Sequence, residues 1–138
     1  MDAASVHHLL TRYFDDVWSR GEVDLLDDLV TDDYVNHSPS VPGPRPGAAD
    51  LKPIVRAMRA GIPDLRYDIL DTVIGDDKVA VHVRVTGTHT GPLFGIAPTG
   101  RRIDVRQMQI EWLRDGRIAQ HWRVTDELGL LRQLGVVG

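Results

Sequence analysis

His121 and Arg123 carry the most chemical content in this chain: they stand two residues apart in a run that alternates apolar and polar side chains. Alternate residues of a strand point to the same face, so such a run sets an imidazole beside a guanidinium. An imidazole titrates near pH ~6.5, which makes His121 a candidate general base, and a neighbouring cation lowers its proton affinity and keeps it neutral. A backbone or glutamine partner would instead make it an ordinary satisfied histidine. Arg123 has five donors and no acceptor and cannot be a base; it suits a ligand carboxylate or a developing enolate oxygen, or an ion pair with Glu111 or Asp126. Asp126 is the rival base, and equally a cap for the segment that follows. Asn36 and His37 are adjacent on a short extended piece, so one at most faces inward, and Asn36 is the one assigned there. His82 and His89 are an odd number of residues apart with no acidic ligand at suitable spacing, so no metal is expected.

These groups need a frame. Val6, Leu9, Leu10, Tyr13, Phe14, Val17 and Trp18 recur at helical steps and predict one amphipathic helix over residues 4–20, ended by Gly21. A shorter helix is expected over 23–30, an extended piece over 34–37, and a helix over 48–60 carrying Leu51, Ile54, Val55 and Met58. The proline- and glycine-rich stretch 38–47 reads as a loop. From there the period changes to two, over 65–74, 78–89, 103–114 and 117–124, with Gly75-Asp76-Asp77 and Asp115-Gly116 between neighbouring runs as turns. A last helical segment is expected over 127–134. Helices first and an antiparallel meander later is an α+β arrangement forming one domain over residues 1–138. A bent sheet roofed by helices encloses a cavity suited to a small molecule, with Tyr13, Phe14, Trp18 and Met58 either lining it or packing as core. In the run 78–89, Val81, Val83 and Val85 read as core, and His82, Arg84, Thr86 and Thr88 as a subunit contact. Trp112 and Trp122 have the parity of the outer sheet face, which suggests a dimer contact.

Composition removes several classes. There is no cysteine, hence no disulfide or thiolate chemistry, in keeping with a reducing compartment and the cytoplasm. The net charge is −4 and the sixteen basic residues are scattered, which leaves no footprint for nucleic acid. No leader-like start and no run of ~20 apolar residues is present, so neither export nor membrane insertion is expected.

Four stretches together resemble the SnoaL-like polyketide cyclases of the nuclear-transport-factor-2-like superfamily. They are Asp33-Tyr34-Val35-Asn36-His37, Pro63-Asp64-Leu65, the Gly87-Thr88-His89-Thr90-Gly91 and Pro98-Thr99-Gly100-Arg101 loop, and Asp115-Gly116-Arg117-Ile118 through His121-Trp122 to Leu130-Leu131-Arg132-Gln133-Leu134-Gly135. The resemblance implies a cone-shaped fold in which three helices wrap a curved, mostly antiparallel sheet, often as a homodimer or homotetramer. It also implies ring closure by intramolecular aldol condensation on a polyketide-like small molecule, with no metal or organic cofactor. In those cyclases an aspartate on the last strand removes a proton from a carbon next to a carbonyl, aided by an asparagine, a glutamine and a histidine. Asn36 and Gln107 match the asparagine and the glutamine. Arg123 stands in the aspartate's place and Gln109 in the histidine's.

The family's proton abstraction therefore cannot be copied directly. The expectation is an enzyme of secondary metabolism with His121 or Asp126 as base, Arg123 as clamp, and Asn36, Gln107 and Gln109 positioning a polyketide carbonyl compound. The alternatives are a non-catalytic binding module, a relative catalysing hydroxylation or pericyclic closure, and a structural dimerisation domain. To keep these groups on one face, the last hairpin is expected to use a three-residue Arg114-Asp115-Gly116 loop, with Gln109 opposite His121 and Gln107 opposite Arg123.

Overall fold

The computed structural model describes residues 1–40, 43 and 45–137. Asp2 opens helix α1 (Ala3–Thr11) by accepting from the Ser5 amide. The expected single helix then changes pitch: Arg12–Ser19 is a π-helical segment. Tyr13, Phe14, Val17 and Trp18 of this segment all enter the core. Gly21, at φ +81°, ends it. The second expected helix is divided into a 3₁₀ turn, Val23–Leu25, and α2 (Leu26–Leu29), because Val30 already turns extended and starts strand β1 (Val30–Asn36). Part of the loop expected over 38–47 lies outside the described residues, namely Val41, Pro42 and Pro44. Gly47 precedes α3 (Ala48–Gly61) at φ +73°, where a Cβ would lie 2.8 Å from the Asp32 carbonyl oxygen.

The four period-two runs become β2 (Arg66–Ile74), β3 (Lys78–Thr88), β4 (Arg102–Arg114) and β5 (Arg117–Thr125), followed by α4 (Glu127–Gln133). They form one mixed sheet in the order β1-β5-β4-β3-β2, in which only β1 runs parallel to its neighbour. Val79, Val81, Val83, Val85, Ile103, Val105 and Ile118 cover its inner face and pack beneath Leu10, Phe14, Val17, Leu51 and Val55. The outer face carries Met108, Ile110, Trp112 and Val124 in the open. Arg84 on that face pairs with Asp104 across the strands at 2.8 Å.

The last hairpin corrects one expectation. Arg114 pairs with Arg117, so the loop is the two-residue Asp115-Gly116 turn, with both residues at positive φ (54° and 75°). A two-residue turn alone would send His121 to the wrong face. A bulge repairs this: Leu113 pairs with Ile118 and Trp112 with Gln120, leaving Ala119 as the extra residue. The pairs are therefore Gln107 with Thr125, Gln109 with Arg123 and Glu111 with His121, two residues along from the expected set but on the expected face.

Candidate active site

Strand β4 supplies Gln107, Gln109 and Glu111 at successive inward positions, and all three are buried. Beside them β5 supplies His121, 1% exposed, and Arg123, half-buried. His121 Nδ1–H donates to both oxygens of the fully buried Glu111, at 2.7 and 3.0 Å. Nε2 is left as the lone-pair nitrogen, and Arg123 Nη1–H points at it from 3.4 Å. With its proton on Nδ1 the imidazole can accept from Arg123 at Nε2, whereas a proton on Nε2 would face the Arg123 N–H. Burial pushes the Glu111 carboxyl above the ordinary carboxylate range, opposed by His121 and by the charge of Arg123.

Arg123 makes neither of its expected ion pairs. Nη2 donates to the Ser38 carbonyl at 2.7 Å and to Ser40 Oγ at 3.0 Å, while its own amide donates to Ser38 Oγ. Among the described residues no carboxylate lies within ion-pair distance of it. Glu111 is taken by His121, and Asp126 is exposed and caps α4 by accepting from the Gly129 amide. The capping geometry places Asp126 outside the buried network.

The other expected residues divide. Gln109 Nε2 donates to Gln107 Oε1 at 2.7 Å, which joins the two amides in the group. Asn36 is buried, whereas His37 lies outside and stacks on Trp122 at 4.3 Å. Asn36, however, spends both ends of its amide on the protein, donating to Asp50 and accepting from the Ser38 amide. It fastens the strand to α3 and to the loop that holds Arg123. Tyr13, Phe14 and Trp18 are core: Phe14 stacks on Tyr67 at 5.7 Å and Trp18 tilts against it at 5.2 Å. Met58 is partly buried against the same core. Two surface hollows, of about 400 and 220 Å³, sit near α1 and the β4–β5 turn, and none of the expected site residues lines them. The candidate site instead reaches the surface where Arg123 meets the exposed Ser40.

Three residues escape a reading by family position: Glu111, Asp50 and Tyr34. Parity carries the signal for two of them, since Glu111 shares the face of Gln107 and Gln109, and Tyr34 that of Asn36. Burial pushes the Tyr34 and Tyr13 phenols up, and Glu111 adds to both effects while Arg123 opposes them. Tyr67 is pushed up to about 12, with Arg123 and Gln107 pulling the other way. Among the described residues no three His, Asp or Glu side chains group as metal ligands would.

A family model described as SnoaL-like polyketide cyclase matches residues 8–134. The chain belongs to that family. It is 29% identical to the aklanonic acid methyl ester cyclase DauD of a Streptomyces species (strain C5), over 91% of this chain and 80% of that protein. It is also 29% identical to the nogalonic acid methyl ester cyclase of Streptomyces nogalater, over 86% of this chain and 89% of the relative. The structure of TsrD from Streptomyces laurentii superposes with a TM-score of 0.90 at 31% identity, covering 99% of both chains. The fold is thus the α+β arrangement of the SnoaL-like cyclases. No helix of the described residues is long and apolar enough to cross a membrane.

Proposed function

We propose that this SnoaL-like protein is a lyase- or isomerase-type enzyme that closes a ring in a polyketide carbonyl compound by enolisation, with no cofactor, and that His121 is the base. The observation that carries this reading is the buried imidazole held by Glu111 through Nδ1, with its Nε2 lone pair beside a guanidinium that has no carboxylate partner among the described residues. Nε2 takes a proton from the carbon next to a carbonyl. The electron pair left behind moves onto the carbonyl oxygen, where Arg123 receives the negative charge. Charge stays balanced: the site begins with Glu111 and Arg123 opposed, and ends with imidazolium beside Glu111 and enolate beside Arg123. The enolate carbon then attacks a second carbonyl of the same molecule and closes the ring, and the alkoxide formed there takes the proton back from His121 Nε2, which restores the neutral base. The ligand reaches the site past Ser40, replacing that hydroxyl on Arg123.

Exchange of the α-hydrogen isolates the first step. In D₂O, wild-type protein incubated with 1-tetralone, a bicyclic ketone with an enolisable carbon, incorporates deuterium as read by mass spectrometry. Asp126→Asn keeps this activity and His121→Gln loses about 10²–10⁴-fold. Equal exchange by wild type and His121→Gln sinks the assignment.

The same reading includes a homodimer formed through the outer sheet face. Val124 is 74% and Met108 53% exposed, and with Ile110 and Trp112 they leave an apolar band on β4 and β5 that an associating copy would cover.

A further inference from the structure

Two buried polar atoms in this group lack partners among the described residues: the Tyr34 hydroxyl and Gln109 Oε1. Such orphans are rare in folded interiors, because burying a hydrogen-bonding atom unpaired forfeits its bonds to water. Each is tied to the reactive residues through the sheet. Gln109 pairs with Arg123 across the strands, and its Nε2 is committed to Gln107, which turns Oε1 away from its own amide partner. Tyr34 shares the inward face of β1 with Asn36, whose neighbour on β5 is His121, and the phenol feels Glu111 and Arg123. Burial keeps that phenol protonated, so it is a donor in want of an acceptor, whereas Gln109 Oε1 is an acceptor in want of a donor.

We propose that Tyr34 and Gln109 read the ligand as a complementary pair, and that the substrate is a hydroxylated carbonyl compound. Its carbonyl oxygen accepts from Tyr34 and Arg123 together, and a hydroxyl elsewhere on the same ligand donates to Gln109. This rests on the enolisation reading and adds Tyr34 as a residue that touches the developing oxyanion. A ketone without the hydroxyl leaves Gln109 unpaired and binds less well. A methyl ether in its place fails in the same way, because it offers no hydrogen.

Titration with 6-hydroxy-1-tetralone, 6-methoxy-1-tetralone and 1-tetralone, followed by calorimetry, tests the pair separately from turnover. Wild type binds the hydroxy compound about tenfold more tightly than the other two. Tyr34→Phe weakens all three about tenfold without lowering the melting temperature, since the lost hydroxyl had no internal partner. Gln109→Met removes the preference for the hydroxy compound. Equal binding of the three ketones by wild type overturns the inference, as does a Tyr34→Phe variant that melts earlier and binds unchanged. Deuterium exchange gives an independent readout: lost preference with exchange intact overturns the pair alone. Preserved preference without exchange supports the pair and overturns His121 as base.

Discussion

At the scale of residues, Arg123 stands where the resemblance to the cyclases implies a carboxylate, and a carboxylate is present one strand away as Glu111. Burying Glu111 completely is costly, and the bidentate hold on His121 is what offsets it. His121→Leu, which strands the carboxylate, destabilises the fold by about 3–5 kcal/mol. The double substitution Glu111→Leu with His121→Leu removes both polar partners together and recovers most of that loss. Urea denaturation of the two variants and wild type measures the difference; equal losses in single and double variants would show that the pair is not coupled.

At the scale of elements, the placement of the site depends on a turn and a bulge acting in opposite senses. The Asp115-Gly116 turn would put His121 and Arg123 outside, and the extra residue Ala119 brings them back. Deleting Ala119 therefore exposes the imidazole, abolishes binding of the hydroxylated ketone and lowers the melting temperature, all readable by calorimetry. A deletion variant that binds as wild type does would refute the role given to the bulge. A second junction ties the α3–β2 connection to the end of β3: Asp64 accepts from the Thr88 amide at 2.6 Å and from its hydroxyl at 3.0 Å. The Thr88 amide, opposed by slight burial and helped by the hydroxyl, holds the Asp64 carboxyl below its ordinary value of 3.8. Its contribution is thus complete above pH ~3.8 and fades as the pH falls through the lowered value. Asp64→Asn melts earlier than wild type at pH ~7, and the gap closes on acidification below pH ~4. A gap independent of pH would mean that the carboxylate charge plays no part.

At the scale of the whole molecule, the two sheet faces divide the work. The inner face carries the valine core and the polar group, while the outer face holds Met108, Ile110, Trp112 and Val124 on β4 and β5, with Lys78 over the Trp112 ring at 4.5 Å. Outward positions of a sheet facing only water are usually polar, and a band of this kind marks association. Val124→Lys places a cation in that band without touching the interior. Sedimentation is expected to show a dimer for wild type and a monomer for the variant, with the melting temperature of the variant dependent on residual association. A monomeric wild type would remove the dimer from the proposal.

The sequence by itself determined what depends on local sterics. Period two over β2 to β5, helical spacing in the first half and the parity of Gln107, Gln109, His121 and Arg123 follow from the alternation of side chains along each strand. The four stretches resembling the cyclases fixed the family, and the family model spans residues 8–134. Only the tertiary structure decided which residue pairs with which. The strand register sums a turn and a bulge, and the offset that puts Glu111 rather than Gln109 beside His121 arises from both, the bulge falling at Ala119, a residue whose type does not announce one. The same holds for the change of pitch at Arg12, for Asp126 serving as a cap, and for the unpaired Tyr34 and Gln109 atoms. Each is settled by what the rest of the chain packs against it, and side-chain alternation along one strand carries no record of that.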